Sequence, residues 1–305
     1  MVVVGSLNMD LVARAPRIPA PGETILGSNF HTMPGGKGAN QAVAAARLGA
    51  QVSMVGRVGT DAFGRSLLDN LAAAGVDHTF VPGDPTVTTG VALITVDDAG
   101  QNSIVVAGEA NMRLSPADVE AAEAAIAAAE VLLVQLEIPL PTVIRAAEIA
   151  RAHGVKVILN PAPAPASGLP GKLLSLADFI VPNESEISLL TGLLVENQAQ
   201  AEAAAAKLRQ SVAGAVVLTL GERGALLASQ TETMLFPAFK VTPLDTTAAG
   251  DAFVAGLGVA LAEGRSLTEA VHWGNAAGAL AATKAGAQPS LPERLAVEKL
   301  VHRLN

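Results

Sequence analysis

The sequence contains no cysteine, which excludes disulfides and thiolate chemistry without identifying a compartment. It has no basic run or stripe: 20 Lys and Arg stand against 28 Asp and Glu, a formal net charge of −8. Binding to nucleic acid through the phosphate backbone is therefore disfavoured, and an anionic nucleotide would have to be held by local dipoles. No apolar run reaches membrane-spanning length, because Glu, Lys and Arg interrupt the Ala-rich stretches at short intervals. The opening Met1-Val2-Val3-Val4-Gly5 lacks a basic n-region and reads as a buried first strand, not a signal peptide, so a soluble cytoplasmic protein is expected. His31, His78, His153, His272 and His302 show no metal-ligand spacing, and the single Trp273 reads as packing.

What is present is a large potential core. Half of the 305 residues are hydrophobic and only 16% are charged, which argues against disorder. In the second half, short β-branched runs alternate with amphipathic helices. Strands are expected at Val131 to Gln135, Val155 to Leu159, Asp178 to Val181 and Ala215 to Leu220. Helices are expected at Leu140 to His153, with Gly154 as a C-terminal cap, and at Ala201 to Gln210. Ser115-Pro116-Ala117-Asp118 is a helix start with a capping serine and Pro in the first turn. The βαβα order implies an α/β fold: a doubly wound, mainly parallel central sheet flanked by helices, in one domain over 1–305. Two segments break the rhythm. Residues 9–34 carry Pro16, Pro19, Pro21 and Pro34 without a helical period. Residues 86–108 alternate like antiparallel strands around Asp97-Asp98-Ala99-Gly100. They read either as a small β-sheet lid projecting from the main domain or as ordinary surface hairpins.

Chemistry concentrates in a few segments. Asp245-Thr246-Thr247-Ala248-Ala249-Gly250-Asp251 precedes an apolar helix, Val254 to Ala262. Small residues at Ala248, Ala249 and Gly250 let the backbone turn closely, so that free N–H groups at the helix start form an anion site. Asp251 sits in that turn as a catalytic carboxylate or as a helix cap. Gly35-Gly36-Lys37-Gly38-Ala39-Asn40-Gln41 opens a helix from Ala42 to Leu48. Its glycines allow close approach to a ligand, or serve only a turn. Gly38 stands where a P-loop needs Ser or Thr after the lysine, and a dinucleotide fingerprint is incomplete. Asn8 and Asp10 follow the first strand, where polar side chains face the ligand crevice of such sheets, or merely solvate a loop. Asn183 and Glu186 share one face at a helix start and could hold Mg²⁺ through water, or cap the helix. Thr219-Leu220-Gly221-Glu222-Arg223-Gly224 is a nucleotide wall or a tight hairpin.

Taken in order over essentially the whole chain, these segments resemble the PfkB-type carbohydrate kinases. Gly5 to Asp10, Pro21-Gly22-Glu23-Thr24 and Gly35 to Ala45 resemble the family's first half, and Asp245 to Asp251 its second signature. Gln135-Leu136-Glu137, Asn160-Pro161-Ala162-Pro163-Ala164, Pro182-Asn183-Glu184 and Gly286-Ala287-Gln288-Pro289-Ser290 resemble the ribose-phosphorylating branch. Ala248 stands where many members have Gly and favours that branch; Asn275 stands where some have His near the adenine.

The resemblance implies roles. Asp251 is the general base. Asn8, Asp10, Gly36, Lys37, Gly38, Ala39, Asn40 and Glu137 bind the sugar, D-ribose. Asn183, Thr219, Leu220, Gly221, Glu222, Arg223, Gly224, Gly250 and Asn275 line the ATP site, and Glu186 organises Mg²⁺. Asp245, Thr247, Ala281, Lys284, Gly286 and Ser290 surround an activating potassium ion. The two irregular segments become the lid, which also forms a homodimer contact. The expected reaction is ATP-dependent phosphorylation of a primary sugar hydroxyl. Fructose, a ketodeoxy sugar acid or a nucleoside are alternative acceptors in the family, and a non-catalytic sugar sensor is an alternative of another class.

Overall fold

The computed structural model describes residues 1–302. The first strand, β1 (Val2–Val4), lies in the interior of the main sheet. The chain leaves it through β2 (Asn8–Arg14) and β3 (Ser28–Gly35) and returns by α1 (Lys37–Arg47) to β4 (Ser53–Val55). Then come β5 (Val58–Gly59), α2 (Ala62–Ala73), β6 (Asp77–Phe80) and β7 (Gly83–Asp84), and the hairpin β8 (Gly90–Val96) and β9 (Asn102–Ala107). Next are α3 (Pro116–Ala121), α4 (Glu123–Ala127), β10 (Val131–Val134), α5 (Leu140–Ala152), β11 (Lys156–Leu159), α6 (Gly171–Leu176) and β12 (Phe179–Ile180). The remainder is α7 (Glu184–Thr191), α8 (Gln198–Arg209), β13 (Ala215–Thr219), β14 (Ala225–Ala228), β15 (Thr233–Phe236), α9 (Ala249–Ala262), α10 (Leu267–Ala281) and α11 (Arg294–His302).

The main sheet has the order β15-β14-β13-β12-β11-β10-β1-β4-β6. Its strands all run the same way except β14, which is antiparallel to both β13 and the edge strand β15. Helices cover both faces, so the central strands are apolar throughout and alternate residues feed two separate cores. Val3, Leu133 and Ile158 join the core under α1, α9 and α10. Val2, Val4, Leu132, Val134, Val157 and Leu159 join the core under α3, α5 and α8. Strand order reverses at β1: the chain first builds outward to β4 and β6, then crosses to β10 and beyond. Ligands of open α/β sheets bind at the carboxyl ends of the strands at such a switch point. Here that crevice is bounded by the residues following β1 and β10.

The irregular segments form the expected second sheet, ordered β3-β2-β8-β9, with β2 antiparallel to β3 and parallel to β8. The hairpin turns at Gly100, whose φ of 80° suits glycine. Residues 16–27 and 86–89 are not strands, so the paired stretches are shorter than the alternation suggested. α8 begins at Gln198, slightly ahead of Ala201, and two helices begin more than a turn early, α1 at Lys37 instead of Ala42 and α9 at Ala249 instead of Val254. Apolar periodicity marks where a helix is covered by the core; the first turns of these two face a polar crevice, where that signal is lost. The Ser115 start is as expected, with a reciprocal capping box to Asp118.

Candidate active site

The turn into α1 packs directly on the segment after β1. Gly36 has φ 88°, and a Cβ there would lie 2.6 Å from the Asn8 backbone nitrogen. A Cβ on Gly38 would lie 2.6 Å from the Ser6 backbone nitrogen and 2.7 Å from the Gly5 carbonyl carbon. Glycine is thus required by contact between two backbones. That contact brings Glu137, just beyond β10, against both segments. Its carboxylate accepts from Ser6 Oγ at 2.6 Å, from the Lys37 N–H at 3.2 Å and from Asn8 Nδ2 at 3.5 Å. Asn8 and Asp10 are buried on β2, and Asp10 pairs across the small sheet with Met33 and Ala92. The alternative of loop solvation for Asn8 and Asp10 is therefore excluded.

Asp251 lies in the first turn of α9 and is buried. It does not cap the helix: the capping position is Ala248, in the left-handed region at φ 58°. Instead, its two oxygens are held from α1. Asn40 Nδ2 donates to Oδ2 at 3.0 Å and Gln41 Nε2 to Oδ1 at 3.1 Å. Lys37, Asn40 and Gln41 stand at i, i+3 and i+4 and so present one helix face. Burial raises the Asp251 pKa, opposed by the Lys37 charge and the two amide donors. Burial works against the charge of Lys37 too, but Asp251, Glu137 and Glu186 together hold its pKa above the ordinary value.

The anion turn needs one correction. The anion site expected at this helix start would use the N–H groups of Ala248, Ala249, Gly250 and Asp251. That of Ala249 is already bonded to the Thr246 carbonyl at 3.1 Å, because the chain closes a tight turn there before entering the helix. The N–H groups of Gly250 and Asp251 have no partner among the described residues. Both residues line a cavity of about 220 Å³, with Lys37, Asn160, Asn183, Glu186, Thr219 and Ala248 also on its wall. Lys37 is the one cation in that lining.

Asn183 caps α7 and forms a reciprocal capping box with Glu186, so capping and exposure to the cavity coexist. Burial raises the Glu186 pKa, against the Asn183 N–H and Lys37. Thr219 to Gly224 form the tight β13–β14 connection, a 3-10 turn at Gly221–Arg223. It is tied to α7 by the Arg223–Glu184 ion pair and by the Thr219 N–H to the Pro182 carbonyl at 2.9 Å. Asn275 is buried on α10 and donates to the Phe236 carbonyl at 3.3 Å; it does not line the cavity.

Beside the anion turn, Asp245 gathers the C-terminal loop. Its carboxylate accepts from the Thr247 N–H and hydroxyl at 2.9 and 2.6 Å and from the Gly286 N–H at 2.8 Å. Partial burial pushes this carboxyl upward, but those bonds prevail and hold its pKa below the ordinary value. The backbone N–H of Asp245 reaches the Ala282 carbonyl. The Lys284 N–H is turned onto the Ala281 carbonyl, and the buried Ser290 hydroxyl onto that of Ala287.

Sequence reasoning missed three groups. Gln41, Gln135 and Asn160 form a buried amide cluster behind Asp251. Ser6 orients Glu137. Asn111, beyond β9, bonds both backbone groups of Leu7 at 2.8 and 3.0 Å and Asn8 Oδ1 at 2.7 Å, joining the two connections between the sheets. Gln41 carried a spacing signal, i+4 from Lys37, and Ser6, Gln135 and Asn160 stood in segments of the resemblance without a role; their contacts here join residues more than 90 apart in sequence.

A carboxylate at a helix N-terminus above the switch point, with open N–H groups and a phosphate-sized cavity beside it, is the arrangement of a phosphoryl-transfer enzyme with a ribokinase-like fold. The family profile "pfkB family carbohydrate kinase" matches residues 1–294, and the chain belongs to that family. It is 44% identical over 294 residues to the ribokinase of Haemophilus influenzae, covering 96% of this chain and 95% of that one. It is 42% identical over 299 residues to the ribokinase of Bacillus subtilis, covering 98% of each. The solved structure of Arabidopsis thaliana ribokinase complexed with ribose and ATP superposes with a TM-score of 0.90 at 36% identity, over 98% of this chain and 97% of that one.

Proposed function

We propose that this chain transfers the γ-phosphoryl group of ATP to the primary hydroxyl of D-ribose, giving D-ribose 5-phosphate and ADP. The observation that carries the reading is the buried Asp251 carboxylate, held at both oxygens and lining the same cavity as Gly250 and Asn183. Phosphoryl transfer asks for positioning and charge neutralisation more than for covalent chemistry. Asp10, Asn8 and Glu137 would accept and donate to the sugar hydroxyls. Asp251 would take the proton of the primary hydroxyl as its oxygen bonds to the γ-phosphorus and the bond to the ADP oxygen breaks. The Gly250 and Asp251 N–H groups and the Lys37 ammonium face the phosphoryl charge.

Mg²⁺ would arrive with ATP and offset the charge of its phosphates. Glu186 fits its retention through water, since one carboxylate oxygen takes the Asn183 N–H and the other has no partner among the described residues. An ionised Asp245 and the carbonyl-rich loop from Ala281 to Ser290 fit a monovalent cation such as potassium, held by hard oxygen donors. We further propose that the small sheet acts as a lid that excludes water, and that two copies join through it.

The test is ATP consumption measured with ribose, fructose, adenosine and ketodeoxygluconate. Ribose should give the highest kcat/KM. Asp251→Asn keeps the shape but not the basicity, and should lower kcat by about 10²–10⁴ with ribose affinity largely kept. Turnover near that of the wild type would remove Asp251 from its role.

A further inference from the structure

Asp251 is held by two amides that are not equivalent. The Gln41 amide is pinned at its nitrogen, whereas Gln135, which bonds its oxygen, has an Oε1 buried without a partner. Asn160 Nδ2 donates to the Val181 carbonyl at 2.9 Å, which leaves Asn160 Oδ1 as an acceptor toward Gln41. Gln41 Nε2 therefore meets two acceptors, Asn160 Oδ1 and Asp251 Oδ1, each at 3.1 Å. Its Oε1 takes the Gln135 amide at 2.6 Å. Turning Gln41 over would set its oxygen against the carboxylate and against Asn160 Oδ1, which the bond to the Val181 carbonyl holds in place. The Asn40 amide has no such restraint: its Oδ1 is buried without a partner. Gln41 and Gln135 are both fully buried, so an amide misplaced there loses its bonds without compensation from water.

From this geometry we infer that Gln41, braced by Gln135 and Asn160, is a positioning residue that fixes the Asp251 carboxylate and caps its Oδ1, so that the sugar proton is delivered to Oδ2. The inference rests on the reading of Asp251 as the base. A pinned N–H on Oδ1 favours the ionised form, since it can only donate. On Oδ2, by contrast, a proton can arrive without breaking a fixed bond, because Asn40 is free to turn its own oxygen toward it. The other charged groups facing Asp251 are Lys37 from α1, Glu137 beyond β10, Asp10 on β2 and Glu186 on α7. Lys37 works in the same direction as Gln41 and the three acids work against it. Without Gln41, burial and those acids would keep the base protonated to higher pH.

The experiment is the pH dependence of kcat, with saturating ribose and ATP, for the wild type, Gln41→Leu, Gln135→Met and Asp251→Asn. Gln41→Leu should lower kcat at pH 7 by about 10- to 100-fold, the loss of a hydrogen bond to a charged group. KM for both substrates should stay within about twofold, and the acidic limb of the profile should move up by about one pH unit. Gln135→Met, which leaves Asp251 untouched and frees only the far end of Gln41, should move the limb the same way by less. It also serves if Gln41→Leu does not fold. An acidic limb unmoved in the variants that fold, even with kcat lowered, overturns the inference and leaves Gln41 as packing. Asp251→Asn separates the underlying reading: retained turnover there refutes the base, whatever the Gln41 variants do.

Discussion

Three carboxylates, Asp10, Glu137 and Asp251, act on one another's charge near a single lysine, Lys37. Burial first, then the charges of Glu137 and Asp251, push the Asp10 pKa to about 7. Its ordinary value is 3.8, so the folded protein holds this proton more tightly than the unfolded chain does. The stabilisation is full below the unfolded value and is lost as pH rises through about 7. A sugar hydroxyl donates best to the ionised form, so KM for ribose should fall as pH rises through 7 while KM for ATP changes little. Asp10→Asn should raise KM for ribose and flatten its pH dependence, as initial rates in a buffer series would show. A ribose KM that stays pH-dependent in Asp10→Asn would assign the titration to another group. At this scale the sequence exposed Asn8, Asp10 and Asp251, because polar residues stand out beside apolar strands and glycine turns. It showed Gln135 and Asn160 only as parts of motifs and hid their role behind Asp251, because their partners depend on which strands become neighbours.

The two helix-opening turns, each built from small residues, differ in what their glycines face. At Gly38 the turn meets backbone, and a Cβ would lie 2.6 Å from the Ser6 nitrogen. At Gly250 nothing lies within 4 Å, as suits a wall of the cavity proposed to take the phosphates. Gly38→Ala should therefore destabilise by about 1–3 kcal/mol, visible as a lowered denaturation midpoint. Gly250→Ala should leave that midpoint within experimental error and raise KM for ATP. Equal midpoints for the two variants would refute the distinction. The parallel sheet and its helices were legible because β-branched runs and amphipathic stretches alternate from Val131 onward. The first turns of α1 and α9 were not, because they face the crevice instead of the core. The loop beside the anion turn belongs to this scale too. Asp245 ties Thr247, two residues before α9, to Gly286, so a cation seated there would stiffen the turn carrying Gly250 and Asp251 without touching ATP. At constant ionic strength, potassium should raise kcat, sodium should do so less, and Asp245→Ala should abolish the response. A flat potassium titration of the wild type would refute this role.

On the scale of the whole molecule, the small sheet is the part least able to stand alone. Its β2 face is closed by Asn8, Asp10 and Val12, which are buried. The β8–β9 hairpin carries apolar side chains into solvent on both of its faces. Leu93 pairs with Val105, Ile94 with Ile104 and Ala92 with Val106; Val105 is 62% and Leu93 51% exposed. Phe30 on β3 is exposed to 66%, and no helix covers this surface among the described residues. Because β9 is an edge strand, its outer N–H and C=O groups are also unpaired within the sheet. A contiguous apolar surface on an edge is unfavourable in water and favours pairing with a like surface. The same sheet carries Asn8 and Asp10, the residues proposed to hold the sugar, so a partner that orders the lid should also order them. The expected state at micromolar concentration is a homodimer, read as twice the chain mass by light scattering. Val105→Glu places a charge at the centre of the surface and away from the Asp10 face, since Val105 and Leu93 point opposite to Ala92 and Val106. It should give a monomer in which KM for ribose rises more than KM for ATP. A wild type that is monomeric at micromolar concentration and fully active would refute the shared lid.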